Sequence, residues 1–389
     1  MRDLQEIRIA RVALIALTEP GNRAIHHLAA TLGPVEALEV AMRGGLPDER
    51  SRRLADARMT AGDPRLAAEE ALAYGRRLGA RLVVPEDEQW PRQLDDLNRL
   101  RLPSATKRTD EETAPPLCLW ARGARPLNEA LDHSVAVVGS RAASPYGVHV
   151  AIELAHGLAE RDWTVVSGGA YGIDAAAHRG ALGAGGVTAA VLACGVERAY
   201  PASNTALFEH IAETGLILSE WPPTSDPYPH RFLIRNRVIA AATRGTVMVE
   251  ASARSGARQT LARALHLARR AMIVPGPVTS DTSVGCHEML REHPEVRVVA
   301  NVGHVLEEVG RIGDDLAPPA RAPERPRDQL DDAATLVLEA LPGRGAVGVD
   351  ALAAKAGVDT RTALRKLSLL ETLGFVIRRD GAYALGRRR

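Results

Sequence analysis

From His133 to about Gly310 the chain alternates short, nearly unbroken apolar runs with longer stretches whose apolar residues return every three or four positions. The runs are Val135–Val138, Thr164–Val166, Thr188–Leu192, Leu216–Leu218, Thr246–Val249, Met272–Val274 and Val296–Val299. Runs so short and apolar fit strands buried on both faces, and the amphipathic stretches between them supply the crossovers that parallel neighbours need. Residues 131–310 are therefore expected to form an α/β domain, a Rossmann-like, doubly wound, mainly parallel sheet. In such sheets ligands gather beyond the carboxyl ends of the strands.

The flanks follow other patterns. Residues 1–80 read as a small helical domain: 4–18 stopped by Pro20-Gly21, Asn22–Leu32 closed by Gly33, Pro34–Arg43 closed by Gly44, and a later start at Asp63-Pro64. Residues 81–130 hold only short apolar pieces, Leu82–Val84 and Leu117–Trp120, around a polar stretch, Pro103–Pro116, and are expected to be a connector with an exposed loop. Residues 311–328, with four prolines among charges, read as a linker. In residues 329–389, three helical stretches (Asp332–Leu341, Asp350–Ala356, Asp359–Leu373) precede two short strands, Phe375–Ile377 and Tyr383–Leu385, which is the order of a winged helix.

Lys and Arg total 49 against 48 Asp and Glu, so the 389-residue chain is no polycation, and any nucleic-acid binding must come from a local basic site. Three cysteines lie far apart without a CxxC pair, which supports neither a disulfide framework nor a zinc site. The charged N-terminus does not read as a signal peptide and no apolar run approaches a bilayer's width, so a cytoplasmic protein is expected.

Candidate chemistry sits in the strand-to-helix loops. After the first run come Gly139, Ser140 and Arg141, which combine a close backbone approach, a hydroxyl and a guanidinium fork suited to phosphate; a tight turn with a surface arginine is the plainer reading. The second run ends in Ser167, Gly168 and Gly169, with Tyr171 available to stack on a base. Asp174 and His178, four apart, suggest a helix-stabilising contact rather than an acid/base pair. Farther on, Arg231, Arg235, Asn236 and Arg237 are interleaved with apolar residues, and Ser255-Gly256 opens another helix. Cys286-His287 invites a nucleophile reading, but adjacent residues rarely meet in catalytic geometry. Neither GxGxxG nor a Walker A sequence is present, so NAD and ATP are poorly supported and no cofactor is expected.

Taken in order, GSRAASPYG, SGGAYGIDAAAH, YPASN, LSEWPP, FLIRNRVIA, VEASARSGARQT and VPGPV resemble the DNA-processing protein A (DprA/Smf) family. The resemblance implies a Rossmann-like domain flanked by a small helical (SAM-like) domain and a winged helix, usually dimeric and not an enzyme. It also implies protection of single-stranded DNA and delivery of a RecA-type recombinase to strands coated by single-strand binding protein. Its single-stranded DNA contacts would be Gly139, Ser140, Arg141, Ser167, Gly168, Gly169, Tyr171, Arg235, Asn236, Arg237, Ser255 and Gly256, with neither catalytic nor metal residues. Tyr171 and Ala202 stand where many relatives carry Lys or Arg, which shifts weight from charge to stacking. On the winged helix, Arg361, Arg365 and Lys366, with Arg378, Arg379 and Arg387–Arg389 near the wing, suit nucleic acid, and a protein contact is the alternative. Two other readings stay open, a LOG-like nucleotide hydrolase and a ligand-sensing winged-helix transcription factor.

Overall fold

The computed structural model describes residues 3–100, 112–310, 327 and 330–386. The chain divides into two compact units, Met1–Ala317 and Pro318–Arg389.

The first unit opens with five helices, α1 (Leu4–Leu17), α2 (Arg23–Leu32), α3 (Pro34–Met42), α4 (Glu49–Ala61) and α5 (Pro64–Arg77). Local chemistry sets their starts: Asp3, Asn22, Asp48 and Asp63 each accept a backbone N–H of the first turn, and Pro34 and Pro64 occupy first-turn positions whose N–H would have no helical partner. Then come β1 (Ala80–Val83), β2 (Leu119–Arg122), α6 (Leu127–Asp132), β3 (Ser134–Val138), α7 (Pro145–Ala159), β4 (Thr164–Ser167), α8 (Ile173–Gly183), β5 (Thr188–Leu192), α9 (Thr205–Thr214) and β6 (Leu216–Ser219). The unit closes with α10 (Pro229–Ala242), β7 (Gly245–Met248), α11 (Gly256–His266), β8 (Arg270–Ile273), α12 (Val284–Glu292), β9 (Arg297–Val298) and α13 (Val302–Val309).

These strands form one sheet in the order β1-β2-β6-β5-β4-β3-β7-β8-β9. From β6 to β9 every pair is parallel, whereas β1 and β2 pair antiparallel with each other and β2 with β6. Alternation along β3 splits the core: Ala136 and Val138 pack on one face with α10 and α11, Val135 and Val137 on the other with α7 and α8. The doubly wound, mainly parallel sheet agrees with the expected fold class.

Two expectations for the flanks need correction. Residues 81–130 are more than a connector, because β1 and β2 extend the sheet by two strands. Each strand has four residues and its partner lies some forty positions away, too little pattern for a sequence reading to register. Nor is the polar stretch exposed throughout. Residues 103–111 lie outside the described residues, but Glu112 to Pro116 are buried, with Glu112 paired to Arg50 at 3.4 Å. The N-terminal helices share one hydrophobic cluster with the sheet, in which Leu14 and Leu38 join Trp120, Leu192 and Ile217, so residues 1–80 are packed into this unit.

The second unit contains α14 (Asp332–Ala340), α15 (Val349–Ala356), α16 (Thr360–Thr372) and a hairpin of β10 (Val376–Arg379) and β11 (Ala382–Leu385), with Val347 bridging Tyr383 as a third edge. Ala334, Leu352, Leu367 and Val376 share its core. This is the winged-helix order. The proposed linker, apart from Arg327, and Arg387–Arg389 fall outside the described residues.

Candidate functional site

The parallel sheet grows outward in both directions from β3 and β7, so these two strands mark its topological switch point. Side chains leave a crevice at such a point because the following loops run to opposite sides. A cleft of about 470 Å³ opens there, beyond the carboxyl ends of the strands.

Four segments line it. Beyond β3 lie Gly139, Ser140 and Arg141. Ser140 N donates to Glu250 O at 2.7 Å. The buried Glu250 carboxylate accepts from Ser144 N (2.9 Å), Ser144 Oγ (2.6 Å) and Thr282 Oγ1 (3.0 Å), which fixes the loop from the β7 side. Ser144 Oγ in turn accepts from Gly147 N and caps α7. The exposed Arg141 guanidinium lies 5.1 Å from the centre of the Phe232 ring and makes no ion pair within 4 Å among the described residues.

The loop into α8 is tied to the first one: Ile173 N donates to Ser140 O at 3.2 Å. It brings Ala170 and Asp174 to the cleft floor. Burial raises the pKa of Asp174, and Arg235 is the main opposing influence.

From α10 come Phe232, Leu233, Arg235, Asn236 and Ile239. The Arg235 guanidinium lies over the backbone of Gly168, where any side chain at 168 would overlap it, and Nη1 donates to Val191 O. Desolvation pulls its pKa down to about 10, with Asp174 opposing. Asn236 Nδ2 reaches Gly256 O at 3.4 Å. On the fourth side, Ser255 caps α11 and Gly256 lines the cleft, together with the exposed Arg254.

Of the twelve residues expected to contact DNA in this unit, the cleft gathers Gly139, Ser140, Arg141, Arg235, Asn236, Ser255 and Gly256. Five stand elsewhere. Ser167 is buried and donates to Val137 O at 2.7 Å, Gly168 lies beneath Arg235, and Gly169 O accepts from Asn204 Nδ2 at 3.1 Å. Tyr171 is 52 % exposed outside the cleft, its hydroxyl accepting from Ser203 Oγ at 3.1 Å. Arg237 is fully buried in a two-pronged pair with Glu220, Nη1 to Oε2 at 2.6 Å and Nη2 to Oε1 at 2.7 Å, which withdraws it from any phosphate. Arg231 is likewise taken up by Glu19 at 3.1 Å.

Sequence reasoning passed over Phe232, Arg254 and Glu250. Arg254 carried a usable signal, a cation directly before the Ser255-Gly256 helix start.

The Asp174–His178 contact expected within α8 is not what the structure holds. His178 is buried and its Nδ1 meets Thr188 Oγ1 at 2.7 Å. The Thr188 hydroxyl donates to Val165 O, so the ring carries its proton on Nδ1. Burial, with Arg235 and Arg179, lowers the His178 pKa to about 3, against an unfolded value near 6.5. The unfolded chain therefore binds a proton that the folded one refuses. The stabilisation is complete above about pH 6.5 and is lost progressively as pH falls toward 3. Urea denaturation at about pH 7 and pH 5 should show this loss, reduced in His178→Gln; identical pH dependence in both proteins would remove His178 as a source. Cys286 is buried and its thiol is pushed up to about 11, while His287 Nε2 sits 3.2 Å from Gly276 O, so this pair is built for packing.

In the second unit, Arg361 and Arg365 project from α16 into solvent without an ion pair among the described residues. Lys366 is paired with Asp331, the residue that caps α14.

Residues 81–310 match the family described as DNA recombination-mediator protein A, and residues 321–382 match the DprA winged helix domain. The chain is 43 % identical over 374 residues to the putative DNA processing protein DprA of Mycobacterium tuberculosis, covering 96 % of this chain and 93 % of that one. It is 30 % identical over 328 residues to the protein Smf of Escherichia coli, covering 84 % and 82 %. Among solved structures, DNA processing protein A from Streptococcus pneumoniae aligns over 79 % of this chain and 98 % of that one, with a TM-score of 0.61 and 27 % identity.

Proposed function

The chain belongs to the DprA/Smf family of DNA-processing recombination mediators, and from that premise we propose that it binds single-stranded DNA in the cleft at the β3/β7 switch point. The observation that carries the reading is the cleft itself. Two exposed guanidinium groups without ion pairs among the described residues, Arg141 and Arg254, line an opening that also holds an aromatic ring, Phe232, beside Arg141. Cations track a backbone and an aromatic face accepts a base of any sequence, the two requirements of an unpaired strand.

The reading is of a binder rather than an enzyme. Asp174 is the one carboxylate lining the cleft among the described residues, whereas glycosidic cleavage in its usual form uses two. The family resemblance adds a partner, a RecA-type recombinase delivered to strands coated by single-strand binding protein, and a homodimer as the working form. On the winged helix, the exposed Arg361, Arg365, Arg378 and Arg379 are available to nucleic acid, and Lys366 pairs with Asp331 within its own unit.

Arg141→Ala should weaken binding of a thymidine oligonucleotide by about 1–3 kcal/mol, the range for a charge-assisted contact. In a salt titration the slope of log K against log salt should become shallower by about 0.7, one phosphate's share for a single strand. Fluorescence anisotropy on the full chain measures both. Unchanged affinity and slope would take Arg141 out of the site and the cleft out of the reading.

A further inference from the structure

Strand β1 (Ala80–Val83) ends the sheet on one side, with β2 as its single neighbour. In an antiparallel pair alternate residues turn both N–H and C=O toward the partner, so two of these four residues turn theirs outward. Among the described residues, nothing beyond β2 hydrogen-bonds the backbone of Ala80, Arg81, Leu82 or Val83. Folded proteins usually cover, shorten or blunt such an edge. Here a groove of about 500 Å³ opens instead, lined by all four residues of the strand. Arg8 of α1, Leu72 and Arg76 of α5, and Glu88 and Gln89 from the turn after the strand share the lining. Trp120, the partner of Leu82 in β2, belongs to it too, and its buried Nε1 has no hydrogen-bond partner among the described residues. We propose that β1 is the docking edge for an extended, acidic segment of a partner protein, which adds to the sheet as a further strand.

Charge selects the occupant. The carboxylates after the strand are mostly taken: Glu86 pairs with Arg11 at 2.6 Å and Asp87 with Arg8 at 2.8 Å, which leaves Glu88. The arginines around the strand are not. Arg76 and Arg77 close α5 just before it, Arg122 is the β2 partner of Ala80, and the Arg125 carbonyl accepts from Arg81 Nη2. Arg81 gives its other donors to Gln89 Oε1 and Gly123 O, which are uncharged. None of these five has a carboxylate within 4 Å among the described residues, and Arg76, Arg77 and Arg125 are exposed. A second copy of the chain would bring the same surplus of arginines to the edge and be repelled. A nucleic-acid strand would suit the charge, but its phosphates only accept hydrogen bonds and leave the outward C=O groups of β1 without a donor. A peptide backbone offers donors and acceptors in the alternation that the edge presents, and acidic side chains on it answer the arginines.

Anisotropy titrations with the full chain would use a short labelled peptide in which valine alternates with glutamate. Three others accompany it: one with lysine for glutamate, one with the valine nitrogens methylated and one with the glutamate nitrogens methylated. The acidic peptide should bind, and the lysine version at least about tenfold more weakly. Alternate residues of an added strand face the edge, so one of the two methylated peptides should lose at least about fivefold, one hydrogen bond's worth. Arg76→Glu with Arg77→Glu should weaken the acidic peptide by a similar factor and leave thymidine oligonucleotide binding as it was. No binding of the acidic peptide up to about 1 mM, the weak end of specific association, would overturn the inference. So would equal binding of the lysine version, or two methylated peptides that both bind like the unmodified one. Displacement of the peptide by a thymidine oligonucleotide would assign it to a nucleic-acid surface, and a chain that dissociates into smaller species in sedimentation when peptide is added would assign the edge to a second copy; either result sinks the proposal. The comparison among peptides needs no variant, so it stands even if the double variant does not fold.

Discussion

Arg237→Ala is expected to lower the unfolding free energy of the sheet-bearing unit by about 3–5 kcal/mol, the cost of leaving one partner of a buried ion pair alone. Glu220, left behind, is 1 % exposed, and burial already pushes its pKa up, with Arg237 as the chief opposing charge. The deep position of the pair means that removing Arg237 should leave the salt slope of oligonucleotide binding by the folded protein as it was. Replacing both partners together with apolar residues of similar volume should cost far less than the single change, since no orphan charge then remains. All four tryptophans, Trp90, Trp120, Trp163 and Trp221, lie in the first unit, so tryptophan fluorescence during urea denaturation reads that unit without interference from the winged helix. An Arg237→Ala protein of parental stability but shallower salt slope would mean that Arg237 meets a phosphate after all.

The arginine cluster shows where a sequence stops being legible. Arg231, Arg235 and Arg237 look alike on one strip of chain, and a helix start rich in cations near strand ends reads as a single basic surface. Their fates are decided by carboxylates that sequence spacing does not connect to them. Glu19 arrives from the turn after α1 and takes Arg231, and Glu220 arrives from the end of β6 and takes Arg237, so only Arg235 reaches the cleft. The parallel strands were legible for the opposite reason. Burial on both faces requires near-continuous apolar runs, and β5 begins and ends where its run does. Strands β1 and β2 carry weaker marks because they owe their place to pairing at the sheet's edge. The glycine-rich loops were expected to face a ligand, and in the structure their glycines divide between lining the cleft and holding the loops together beneath it.

Gly172→Ala should show how tightly that second group is set. Gly172 has φ +75° and ψ −125°, a region costly for any residue with a side chain. A methyl there would also overlap Ser140 O and stand 2.7 Å from Arg141 O, both backbone atoms that cannot swing aside. Strain and overlap together should lower the stability of the unit by about 2–5 kcal/mol. The loops must separate to admit the methyl, which breaks the Ile173 N to Ser140 O hydrogen bond and moves the segment carrying Ser140 and Arg141. Oligonucleotide binding should therefore fall at least as far as in Arg141→Ala, although residue 172 does not line the cleft. Gly183, at the other end of the same helix, is the natural control. Nothing lies within 4 Å of a methyl added there, so alanine should leave binding intact and raise stability by up to about 1 kcal/mol through helix propensity. Thermal denaturation and anisotropy on the two variants give the comparison. If Gly172→Ala melts and binds like the parent, the two loops are not interlocked, and the cleft loses the constraint that holds its rim in place.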